Sequence, residues 1–179
     1  MQETMQRLTE QVHTILEEEL GLSSRWSGII RIEESDRFSG LKEWNCNIVY
    51  TPEFSDDPAL RISTVIHEIL HSFSVELNKQ DFAVHRFYEE GVVEMLTRIL
   101  RPLVLEKVGM DPNLDFSSRD ESHPFNSIIA QLEADREQCG MEKHEFYREL
   151  LKTPLVKRRS KIGLWIVKNK TRGSKKTLS

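Results

Sequence analysis

The sequence predicts an α+β fold, with a small N-terminal α/β subdomain followed by a helical C-terminal subdomain. Three observations carry this. Apolar residues recur at helical spacing over residues 3–20, from residue 58 onward and again after residue 124. Two short stretches, 29–33 and 44–50, read as strands instead. After a first helix both strands precede the remaining helical segments, which segregates the sheet from most of the helices along the chain.

Taken in order, Met5, Leu8, Val12, Ile15 and Leu16 predict a helix over 3–20, with Gly21 as its stop signal. The strands at 29–33 and 44–50 are separated by a polar segment around Ser39-Gly40, and 51–57 is a loop. Asp57-Pro58 then reads as an N-cap followed by proline at the first helical position. Leu60, Ile62, Val65, Ile66, Ile69, Leu70 and Phe73 form an apolar stripe, and no proline or glycine interrupts residues 59–77. A second helical segment carries Glu90 and runs to about Leu100, where Pro102 ends or kinks it. Residues 108–124 hold Gly109, Pro112 and Pro124 and read as a surface loop. Phe125, Ile128, Ile129, Leu132 and Cys139 predict a helix ended by Gly140. Phe146, Tyr147, Leu150 and Leu151 predict a shorter one before Pro154. The stretch 155–167 reads equally as helix or strand. Residues 168–179 form a basic flexible tail beyond a single domain at 1–167.

A chain of 179 residues is one domain by size, and 38% hydrophobic content suffices for a core. No apolar run approaches a membrane span, so a membrane is not an expected partner. The first residues lack a basic and an apolar signal region, and Cys46 and Cys139 are too few for a disulfide framework. Both point to a cytoplasmic protein. Charge is uneven. Residues 151–179 carry ten Lys/Arg and no acidic residue, while residues 1–150 carry 15 Lys/Arg and all 29 Asp/Glu. Without a Gly-rich phosphate loop, a cysteine knuckle or interleaved aromatics, this basic end reads as a solvated tail, and nucleic acid is not an expected partner.

The chemistry sits at His67-Glu68-Ile69-Leu70-His71. Residues four apart share one helix face, so the two imidazoles can reach a single metal ion. A hydrolytic zinc takes three protein ligands and keeps one position for water. A carboxylate for the third place is available at Glu90, with eighteen residues between it and His71. Glu68 lies beside the histidines, where it can accept a proton from water. Glu89 faces about 100° away from Glu90 on a helix, and His85 reads as a loop histidine.

The pattern His67-Glu68-x-x-His71, eighteen residues, then Glu90-Gly91 resembles the gluzincin zinc metallopeptidases. The context Phe87-Tyr88-Glu89-Glu90-Gly91 is similar to the aromatic-x-x-Glu-Gly segment of that clan. The resemblance covers residues 57–100 and is thin elsewhere. It implies a minimal zincin-like domain with a cleft between residues 1–77 and 78–167. One Zn2+ would be held by His67, His71 and Glu90, with Glu68 as general base. Glu94, one turn after Glu90, matches the position of an acid that orients a zinc-binding histidine. The strand at 45–50 matches the rim of the cleft, where an extended peptide could add by main-chain hydrogen bonds. The oxyanion donor implied by position is His123, where the clan has a tyrosine; His144, Tyr147 and Tyr88 are its rivals. An upstream Gly-x-Met-Glu-Asn signature is missing, so an endopeptidase is expected over an aminopeptidase. The alternative is a catalytically silent gluzincin-like protein that keeps zinc and binds peptides; an intact Glu68 speaks for the enzyme. Contact of the basic C-terminal segment with the acidic cleft, by charge or by pairing 164–167 with the 45–50 strand edge, stands as the alternative to the favoured reading, in which Ile162, Trp165 and Ile166 complete the core and the tail is free.

Overall fold

The computed structural model describes residues 2–35, 39–52 and 57–176, with only the backbone over 172–176. Most of the loop expected over 51–57, and residues 177–179 of the expected tail, lie outside the described residues. Helices α1 (Gln2–Leu20), α2 (Pro58–Phe73), α3 (Lys79–Val108), α4 (Ser117–Glu121), α5 (Asn126–Cys139), α6 (Lys143–Leu151) and α7 (Arg158–Lys176) accompany strands β1 (Ile30–Ile32), β2 (Gly40–Lys42) and β3 (Ile48–Tyr50). The fold is thus mixed α+β, mostly helical, with one small sheet.

Two compact units divide the chain. The first holds residues 1–74 and 96–122, the second residues 75–95 and 123–179. In the first unit, α1 packs its Val12, Leu16 and Leu20 face against α2 and β1. The sheet order is β1-β3-β2. β3 pairs in parallel with β1, Ile48 opposite Ile30, and antiparallel with β2, Tyr50 opposite Gly40. This corrects the sequence reading twice. The stretch 44–47 is a turn, with Cys46 at a φ of 67°, so only the apolar end of the expected strand is extended. β3 is also the central strand, fully buried; the edges are β1 and β2, the latter from the segment read as a polar connection.

α2 begins as expected. The Asp57 side chain accepts from the Ala59 and Leu60 N–H groups at 2.8 and 3.1 Å, and Pro58 opens the helix. It runs through the motif, as expected, and ends at Phe73. From Ile62 to Phe73 every residue is buried, so beyond its first turn the helix is enclosed on all faces. Its final carbonyls are served by the chain after α1: Arg25 N–H donates to the Ser72 carbonyl at 2.9 Å and Arg25 Nη2 to the Ser74 carbonyl at 2.8 Å.

α3 departs from expectation at Pro102, through which it continues to Val108. Its interruption lies instead at His85, whose φ of −116° and ψ of 19° are not helical. In the second unit, α5 ends at Gly140, whose φ of 65° is the left-handed turn that glycine adopts without strain. α5 packs on α7. The ambiguous 155–167 stretch resolves into a 3₁₀ turn, Leu155–Lys157, and the start of α7. Residues 164–167 are therefore helical and present no strand to pair, and the helix persists to Lys176 through most of the segment read as a flexible tail.

Candidate metal centre

His67 and His71 sit one turn apart in the buried half of α2. Their ring centroids are 4.9 Å apart with planes at 77°, an edge-on arrangement that leaves both rings directed to the same side. Glu90 lies on α3 five residues after the break at His85. The three side chains are almost buried, 9, 6 and 7% exposed, and each offers a ligand atom within 4.8 Å of the others. Among the described residues this is the one such cluster of three, and it could hold a metal ion. His85 is not part of it.

Local sequence explains the positioning. Gly91 follows Glu90 because α5 crosses there: a Cβ would stand 2.8 Å from Ile128 Cγ2 and 3.3 Å from Leu132 Cδ1. Glu89 turns away, as helix geometry requires, and meets Arg158 Nη1 at 2.6 Å. Both members of that pair are wholly buried, and Arg158 Nε also donates to the Thr153 carbonyl at 3.1 Å. Arg86, one turn before Glu90, brings its Nε to 3.5 Å from Glu90 Oε1.

Glu68 is 8% exposed, and its Oε2 accepts the backbone N–H of Lys42 at 2.7 Å. The edge strand β2 thereby fixes the carboxylate. The approach is close enough to demand glycine at position 40: a Cβ there would collide with Thr64 Cγ2 and reach 3.0 Å from Glu68 Cγ. Sequence reasoning missed this contact, although Gly40 was visible as punctuation.

Glu94 is fully buried and pairs with His123, Oε2 to Nε2 at 3.2 Å. The other ring nitrogen of His123 lies 3.5 Å from the Phe125 N–H. The ring itself leans on Phe125, centroids 5.5 Å apart. Of the rivals to His123, Tyr147 is buried, and burial together with the neighbouring Glu133 pushes its phenol far above the usual range. The half-buried Tyr88 is raised by burial and by Asp135, against the opposing pull of Arg159, whose guanidinium lies 5.9 Å from its ring. His144 Nε2 is buried without a hydrogen-bond partner.

Two further polar elements escaped the sequence reading. Arg158 was counted with a solvated basic tail, yet it is a core residue. Arg101, 5% exposed, makes a paired contact with Asp120 at 3.1 and 2.6 Å and stacks 3.9 Å over Phe116, which ties down the segment read as a surface loop. No composition signal marks either arginine.

No protein-family model matches this chain, nor does any curated protein or solved structure. The likeness to gluzincins therefore rests on the motif residues alone.

Proposed function

We propose that this protein is a zinc-dependent metallopeptidase of gluzincin type, a zincin-like domain acting as an endopeptidase on peptides or proteins. The observation that carries the reading is the cluster of His67, His71 and Glu90 with Glu68 between the two histidines in sequence. The donor chemistry fits zinc: two imidazoles and one carboxylate, three protein donors, nearly dry. In that place zinc supplies Lewis-acid charge, which polarises a carbonyl and acidifies water. Glu68 accepts the proton of the attacking water and hands it to the leaving amine. Its Oε2 is committed to the Lys42 N–H, so Oε1 is the oxygen assigned to proton transfer. His123 is the proposed donor to the developing oxyanion. Glu94 holds the His123 ring by Nε2 and the Phe125 N–H donates to its Nδ1, so His123 must release one of these contacts to donate to an oxyanion.

Metal analysis of the purified chain, with cleavage of a mixed-peptide library by wild type and Glu68→Gln, tests the reading. One zinc per chain, cleavage by wild type and none by Glu68→Gln are expected. Stoichiometric zinc with an inert wild type would assign the catalytically silent, peptide-binding alternative. No zinc at all would end both.

A further inference from the structure

α7 divides its residues sharply between two faces. Arg158 and Ile162 point into the second unit, 0 and 3% exposed. On the opposite side Leu164 and Val167 are 70 and 64% exposed, among the most open large apolar side chains of the chain. Leu164 shares its face of α7 with Lys161 and Lys168, three and four residues away, and the exposed Lys157 ends the 3₁₀ turn just before the helix. Lys157 and Lys168 have no acidic partner among the described residues, and Lys161 approaches Glu149 only at 3.9 Å. No acidic residue occurs anywhere in 151–179. Two aliphatic side chains in open water, beside three lysines of which Lys157 and Lys168 lack counter-charge, leave two unmet demands on one surface.

We propose that this face of α7 docks on an anionic lipid surface, with Lys157, Lys161 and Lys168 at the level of the headgroup phosphates and Leu164 and Val167 just beneath them. A bilayer interface satisfies both demands at once: anionic headgroups answer the lysines, and the acyl boundary takes the aliphatic groups. A nucleic-acid backbone answers only the charge and has no use for Leu164 and Val167. The association is peripheral, since among the described residues no helix is long and apolar enough to cross a membrane. The remainder of the chain is acidic, so only an orientation that presents α7 attracts such a surface, and the attraction fades with salt.

Co-sedimentation of the full chain tests this, using vesicles of phosphatidylserine and phosphatidylcholine against phosphatidylcholine alone, at low and high salt. Binding to the anionic vesicles only, weakened by salt, is expected. Each lysine changed to glutamine should lower partitioning about fivefold. Leu164→Ser with Val167→Ser should lower it further while circular dichroism stays unchanged, because neither side chain belongs to the core. Failure of the wild type to bind anionic vesicles overturns the proposal. So does equal binding by the lysine and Leu164/Val167 variants, or retention on duplex DNA in place of vesicles.

Discussion

Glu68 and Glu94 are both buried carboxylates, but different partners give them different parts. Glu68 accepts one backbone N–H through Oε2, which leaves Oε1 for the proposed proton transfer. Glu68→Gln is expected to retain zinc and fold while turnover falls about 10²–10⁴-fold, the scale of a lost general base. Wild-type turnover in that variant would remove the assignment. His67→Ala should abolish stoichiometric zinc, because two remaining donors seldom hold the ion; metal analysis after dialysis decides it. Glu94 stands where the gluzincin resemblance places an acid that orients a zinc-binding histidine, and in that proposed role Glu94→Ala should weaken zinc about 10–100-fold. It should also release His123, its partner at 3.2 Å. His67, His71, Glu68 and Glu90 were legible as residues because a helix converts sequence spacing into a shared face. The partner of Glu94 was not, since 29 positions separate it from His123 and no periodicity links them.

Among the elements, β2 and α7 carry the constraints that a pattern reading undervalued. Gly40 lets β2 press on α2, so Gly40→Ala should push the strand away and break the Lys42–Glu68 hydrogen bond. A loss of about 1–3 kcal/mol is expected from such overpacking, with turnover lost alongside. Adding Thr64→Ser removes the colliding methyl and should restore both; denaturant melts and cleavage assays on the single and double variants would show whether it does. Arg158 anchors α7 to Glu89 in a pair excluded from water. Arg158→Ala should cost about 3–5 kcal/mol, because it strands a buried carboxylate. A melt indistinguishable from wild type would contradict that picture. β2 was missed because a three-residue strand has too few positions to show alternation. Arg158 was miscounted because charge statistics record residue type and not direction.

For the whole molecule, buried phenols set an alkaline limit. Burial raises the pKa of Tyr50, against the opposing Thr9 hydrogen bond, and raises that of Tyr147 likewise. Tyrosine in the unfolded chain ionises near pH 10. The unfolded state therefore loses protons that the folded state keeps, and stability present below about pH 10 should fall as pH rises above it. Thermal melts from pH 8 to 11 should show the decline beginning near pH 10, and a flat profile would refute it. Truncation separates the two parts of α7. Removal of residues 168–179 should leave the fold intact, whereas truncation before Ile162 removes a buried side chain and should destabilise the second unit. If the shorter chain melted like the full one, Ile162 would not be a core residue.

By itself the sequence determined the α+β class, the capped helix through the His-Glu-x-x-His motif, the glycine stop after Cys139 and the two histidines with Glu90 as potential ligands. Each is set by local rules: capping, a glycine in the left-handed region, or the 3.6-residue turn. Only the tertiary structure decided that β3 lies at the centre and β2 at an edge, that Lys42 holds Glu68, that Glu94 meets His123, and that Arg158 is buried while Lys157 and Lys168 are exposed. Strand order and charge pairing depend on contacts between residues far apart in the chain. Such contacts are chosen by which arrangement buries the most apolar surface without stranding a charge, and no window along the sequence contains that comparison.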